Sequence, residues 1–149
     1  MTGRALYFTG PRSVEIRDKQ IAAPGSSEVR VRTERSSISP GTEMLVYRDE
    51  VPSELSVDET IDAFDDTFSY PLQYGYATVG RVTAVGEAVD DEWLDRQVFA
   101  FNPHESHFLA DPETLVPTTL SRERALFIPN AETAVNFAMD ARPRTRARR

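Results

Sequence analysis

The stretch SSISPGTEMLVYRD, Ser36 to Asp49, gathers hydroxyls, a Pro-Gly turn and a carboxylate directly after an alternating apolar run. Hydroxyls and a carboxylate gathered in one short loop make it a candidate for half of an active site. The same residues also suit a type I or II turn at Pro40-Gly41, with Ser39 and Thr42 capping the next element. Tyr76 offers a phenol whose ordinary pKa of about 10 keeps it protonated at neutral pH, ready to donate to a carbonyl oxygen. A packed barrel tyrosine is the alternative. His104 and His107 are the two histidines of the chain. Their HESH string is one residue too short for the HExxH zinc pattern, which sets both imidazoles on one helical face. It also follows Pro103 in strand-and-loop sequence, so it reads as a surface or interface feature. His107 becomes an acid or base if it faces a cleft.

The elements that must position these groups are mostly strands. RALYFTG and SVEIRD flank Gly10-Pro11 as two strands. EVRVRTERSSIS sets Val29, Val31 and Thr33 on one face and charged residues on the other, a half-buried strand. GYATVGRVTAVG is rich in β-branched residues and carries Gly75, Gly80 and Gly86, which implies a bent strand with close backbone approaches. RQVFAFN and SHFLAD are further strands, followed by PETLVPTT. Ser121 is a candidate N-cap for a short helix to Ala125. NAETAVNFAMDA reads as a second helix, with Ala134, Val135, Ala138 and Met139 spaced for one face. Together these predict a mainly β fold with a few late helices, rolled into a barrel.

Composition narrows the function classes. At 149 residues the chain fits one domain, and its 40% hydrophobic content supports a packed core. No apolar run approaches the ~20 residues of a membrane-spanning helix, and the N-terminus lacks the apolar region of a signal peptide. No cysteine is present, so disulfides and thiolate–metal bonds are excluded. A cytoplasmic, soluble protein is the default expectation. Acidic residues outnumber basic ones 24 to 17, and one lysine stands against sixteen arginines. Five of those arginines lie in RPRTRARR, residues 142–149; without them the count is 12 basic to 24 acidic, a net −12. Such a body repels nucleic acid and suits either a salt-rich cytoplasm or a genome that favours arginine codons. RDEVPSELSVDETIDAFDDTFSYP holds eight acidic residues from Asp49 to Asp66 and no basic one after Arg48. It reads as a solvated acidic loop or short helices, with a cation-binding lid as the functional alternative.

Four segments taken in order, EVRVRTERSSISPGTE, YPLQYGYATVGRVTAVGEAV, DRQVFAF and ADPETLVPTTLSRERALFIPNAETAVNFAM, resemble the N-terminal GroES-like domain of the medium-chain dehydrogenase/reductase superfamily. That superfamily pairs a loop after a strand with a glycine-rich GHExxGxV strand, a GDRV strand and a helix bearing a Thr-Ala pair. Gly75–Val82, Asp95–Val98 with an inserted Gln97, and Thr133-Ala134 hold the last three positions. SISPGTE and FNPHESHF are most similar to the bacteriochlorophyllide dehydrogenase-like and zinc-type alcohol dehydrogenase members. The resemblance spans about residues 4–140 and implies a GroES-like rolled barrel over residues 1–141, the substrate-side domain of an NAD(P)-dependent oxidoreductase.

The resemblance also implies what the site has and lacks. The first zinc-ligand position falls at Ser39, the histidine position at Tyr76 and the glutamate position at Ala77. A hydroxyl and a phenol are poor zinc ligands beside thiolate and imidazole. Thr42 matches the hydroxyl that relays a proton from substrate, and Glu43 the neighbouring acid that supports the site. Zinc lowers the pKa of bound water from about 15.7 to about 7, an upper bound of about 12 kcal/mol of anion stabilisation. Neutral hydroxyl donors supply about 1–4 kcal/mol each. A zinc-free site therefore suits a substrate whose charge is already delocalised, such as an enone or quinone. No G-x-G-x-x-G follows, and nothing after Ala141 forms a βαβ unit. The expectation is a chain that binds no cofactor itself and meets NAD(P) only through a separate Rossmann domain. That domain would come from another chain, and a homo-oligomer is the other expected assembly. The Arg-rich tail, residues 142–149, reads as disordered and silent, the product of a shifted or shortened frame. A free-standing binding domain or truncation remnant stays open as the second function class.

Overall fold

The computed structural model describes residues 1–51 and 69–141. Two strands, β1 (Thr2–Gly10) and β2 (Ser13–Gln20), form an antiparallel hairpin. Strand β3 (Val29–Ser36) runs into the helix α1 (Thr42–Arg48). Then come β4 (Thr78–Val85), β5 (Gln97–Ala100), β6 (His107–Ala110), the two-residue β7 (Val116–Pro117), α2 (Arg122–Ala125) and α3 (Ile128–Asp140). The five strands after the hairpin make one antiparallel sheet in the order β6-β3-β4-β5-β7. The mainly β fold with late helices agrees with the sequence pattern. The two sheets are open, and no continuous strand ladder closes them into the expected barrel among the described residues.

Alternation explains which residues go inside. Val29 and Val31 of β3 and Val82 of β4 join Val98, Ala100, Phe108 and Leu115 in the largest buried cluster. Phe99, between Val98 and Ala100, points the other way and packs with Ala77, Val79 and Ala125. β5 is therefore covered on both faces, which suits its short apolar run. A third cluster, Phe8, Val46 and Tyr74, seats α1 on β1.

The glycines in and just after β4 act as the sequence suggested. A Cβ at Gly80 would stand 2.6 Å from the Arg32 carbonyl oxygen, and one at Gly86 would overlap the Gly25 carbonyl. The β3–β4 register also slips twice, between Arg30 and Val31 and between Thr33 and Arg35. Such slips bend and twist the strand locally. Ser121 does cap α2, accepting from the Arg124 amide at 3.4 Å.

The second late helix differs from expectation. The spacing of Ala134, Val135, Ala138 and Met139 predicted a packed face, yet α3 contains no buried residue. Val135, Phe137 and Met139 are 55%, 70% and 71% exposed. The acidic segment from 52 to 68 and the Arg-rich tail, residues 142–149, lie outside the described residues.

Candidate functional site

The segment Asn102–Ser106 is held between the two sheets. Leu6 donates its amide to the His104 carbonyl at 2.9 Å, Ser106 donates to Arg4 at 2.8 Å, and Thr33 donates to the Ser106 carbonyl at 2.9 Å. These bonds fix His104 beside the end of β3. The loop Ser37–Gly41 is anchored from the other side, where Ser37 donates to the Ala77 carbonyl at 2.9 Å.

What read as a loop carrying Thr42 and Glu43 is the start of a helix. Glu43 and Val46, three residues apart, share the inward face of α1 and both are buried. Glu43 is thus carried into the interior, at 2% exposure. A carboxylate tolerates that position because both its oxygens are bonded. Oε1 accepts the Ser39 amide at 3.0 Å, and Oε2 lies 2.8 Å from Nε2 of His104. The other ring nitrogen, Nδ1, lies 2.9 Å from the Ser36 hydroxyl. His104 is 9% exposed, whereas Ser36 is exposed at the end of β3.

The expectation that His104 is a surface or interface residue is therefore corrected. It is the centre of the buried polar network, and sequence reasoning missed it in favour of His107. Gly75 is the structural accomplice. Its φ is +138°, a conformation that favours glycine. A Cβ there would stand 2.9 Å from His104 Nε2, so the imidazole lies directly against this glycine. Glycine in GYATVG thus carried a signal for a close neighbour, although not for which one.

The remaining sequence candidates divide. Ser39 joins the network twice, through its amide to Glu43 and through its hydroxyl, which accepts the Thr42 amide at 3.3 Å. That hydroxyl satisfies the first amide of α1, whose N-cap position is Gly41 without a side-chain cap, and Thr42 is the helix's first residue rather than a cap. Thr42 itself is exposed, and Tyr76 is half-buried with its ring edge-on to Tyr74 at 6.5 Å. Tyr76 also packs against the clusters around Phe99 and Val46, which agrees with the packed reading. His107 sits apart on β6, opposite Arg32 in register, and its Nδ1 bonds the adjacent Ser106 hydroxyl at 3.2 Å. Burial, and then the guanidiniums of Arg30 and Arg32, hold its pKa below 6.5. Among the described residues, no group of three or more His, Cys, Asp or Glu side chains is placed to hold a metal ion.

A second charged node ties the helical end to the sheet. Arg122 of α2 bonds Glu34 through its Nε, and Arg81 and Arg32 approach the same carboxylate at 3.5 and 3.6 Å. The Arg122 hydrogen bond leads the causes that lower the Glu34 pKa.

The fold is similar to that of several solved oxidoreductases over most of this chain. No protein-family model matches the sequence. The chain is 28% identical over 127 residues to 2-desacetyl-2-hydroxyethyl bacteriochlorophyllide A dehydrogenase of Cereibacter sphaeroides, covering 85% of this chain and 33% of that protein. Among solved structures it is similar to a putative NADPH:quinone reductase from Bacillus thuringiensis, with a TM-score of 0.72 at 18% identity. That match covers 95% of this chain and 41% of the other. A quinone oxidoreductase from Coxiella burnetii gives a TM-score of 0.71 at 17% identity, over 95% of this chain and 46% of the other. The chain therefore spans a third of the curated relative's length and less than half of each of these structures.

Proposed function

We propose that this chain is the substrate-side, GroES-like part of an oxidoreductase that uses NAD(P)H, and that the nucleotide is held by a Rossmann domain outside residues 1–149. The observation that carries this reading is the coverage: 95% of the chain overlays 41% of the NADPH:quinone reductase. Residues 1–149 by themselves are then inactive in hydride transfer. Its reaction is zinc-independent, because Ser39, Tyr76 and Ala77 stand at the family's ligand positions and do not form a zinc donor set.

In this reading Thr42 is the exposed hydroxyl nearest the reacting group, and Tyr76 is a hydrogen-bond donor to a substrate carbonyl. His104, linked to Glu43, supplies the proton reservoir behind them. A quinone or enone is the preferred substrate class, since its developing charge is spread over a conjugated system. The exposed α3 is the surface against which a partner domain packs, which supports an assembly over an isolated domain. The acidic body excludes a nucleic-acid partner, and the working compartment is the cytoplasm.

Titration of NADH and NADPH against the purified chain, followed by nicotinamide fluorescence, tests the division of labour. Absence of binding is expected; tight binding would overturn the claim that the nucleotide site lies elsewhere. Metal analysis after expression with zinc is the companion measurement. One chelator-resistant zinc per chain would refute the zinc-independent reading.

A further inference from the structure

The hydrogen-bond directions around His104 follow from elementary donor–acceptor counting. A carboxylate only accepts, and Glu43 takes the Ser39 amide on Oε1. Its Oε2, 2.8 Å from Nε2, must also accept, so Nε2 carries the ring proton. In a neutral imidazole Nδ1 is then the lone-pair nitrogen. The Ser36 hydroxyl, 2.9 Å away, is therefore the donor. An exposed serine, an imidazole buried behind it and an enclosed carboxylate form one directed chain.

That order is the arrangement which activates a serine: nucleophile against base, base oriented by a third group. We propose that Ser36 is a nucleophile toward small acyl and phosphonyl electrophiles, with His104 as its general base and Glu43 as the group that orients the imidazole. The site would cleave activated esters and needs neither nucleotide nor metal, so it is tested apart from the hydride-transfer reading although both draw on the Glu43–His104 pair. Ser36 Oγ attacks the ester carbonyl carbon while its proton passes to His104 Nδ1. The tetrahedral adduct collapses, and the imidazolium returns that proton to the departing alcohol oxygen. Water then attacks the acyl-Ser36 ester, again losing a proton to Nδ1, and Ser36 leaves as the restored hydroxyl. Ester and water become carboxylic acid and alcohol with no change in oxidation state. Ser36 stands at the exposed end of β3, so reagents reach it from solvent.

The experiment treats the full chain with a fluorophosphonate probe and maps the adduct by mass spectrometry, alongside release of p-nitrophenol from p-nitrophenyl acetate. One adduct per chain on Ser36 is expected, with an initial burst of p-nitrophenol. S36A should abolish both, and H104Q should slow labelling by about 100-fold or more, the span of a lost general base. S36A removes one exposed hydroxyl and leaves the Glu43–His104 bond intact, so it is informative even if H104Q fails to fold. Labelling no faster than in the heat-denatured chain would overturn the proposal. Labelling that persists in S36A would overturn it as well, and a network that merely clamps the loop predicts that result or no adduct at all.

Discussion

Replacing His104 with leucine isolates what the buried pair contributes. Leucine has similar bulk and is apolar, so the change chiefly removes the partner of Glu43 Oε2 and of Ser36. Glu43 is 2% exposed and cannot turn to water; it keeps only the Ser39 amide on Oε1. Leaving a buried acceptor without its donor costs about 1–3 kcal/mol, and more for a charged group such as this carboxylate. The surviving backbone bond places this case near ~3 kcal/mol, within a total stability of about 5–15 kcal/mol. With a urea slope of about 1–3 kcal/mol/M for a small domain, the midpoint should fall by roughly 1–3 M. The double variant E43L/H104L removes both polar groups at once. Apolar replacement of a whole buried pair is often neutral, leaving mainly the unpaired Ser39 amide, at about 1–3 kcal/mol. The double variant should therefore be no less stable than H104L alone. Urea melts of the wild type, both singles and the double supply the cycle. A single-variant midpoint within about 0.5 M of wild type, or a double variant that loses the sum of both singles, would refute the claim that the pair is a coupled unit.

Further outcomes follow from other parts of the fold. G86A should destabilise the chain by more than about 2 kcal/mol, because its methyl would meet the Gly25 and Ser26 carbonyls, which are backbone and cannot rotate away; a thermal melt unchanged from wild type would contradict this. Glu34 has a folded pKa below its ordinary 4.5, chiefly through Arg122, so its stabilising contribution is present above that value and is lost as pH falls through the lowered one. Urea melts between pH 3 and 7 at about 0.1 M salt, where the Debye length is about 10 Å, should show a shallower acid loss in E34Q than in wild type. His107 should titrate below 6.5 by NMR, since burial and Arg30 and Arg32 disfavour its charged form; its contribution to stability is likewise present above 6.5 and falls as acid charges it, and R30A should move the titration upward. The backbone amides of α3 should exchange with deuterium much faster than those of β3 and β4, because a helix of 13 residues with no buried residue is marginal in water.

The strands were legible because their signal is local. Val29 and Val31 are buried as their alternation requires, and the glycines in and just after β4 fall where another backbone presses close. Barrel closure was not, since it depends on which distant edges pair, and period-two alternation says nothing of that. The packed face expected for α3 failed for a related reason: helical spacing describes a stripe without naming what covers it.

The site shows the same boundary more sharply. HESH was weighed by the spacing of its own two histidines, a comparison limited to neighbours in sequence. The decisive partner of His104 is Glu43, 61 residues away on another element. Two local features did point inward. Glu43 shares a helical face with Val46, which places a carboxylate where only a paired one is tolerated. Gly75 adopts a φ that favours glycine and leaves room for a ring against its backbone. A buried acid demands a donor, and with one lysine already bonded to Glu105 at 2.5 Å, the available cation or ring donor narrows toward an arginine or a histidine. Pairing that demand with the vacancy at Gly75 selects a flat ring carrying an N–H, which His104 provides. The loop Ser36–Glu43 is thus defined by the imidazole between its first and last residues, and its chemistry turns on that ring more than on the hydroxyls that first drew attention to it.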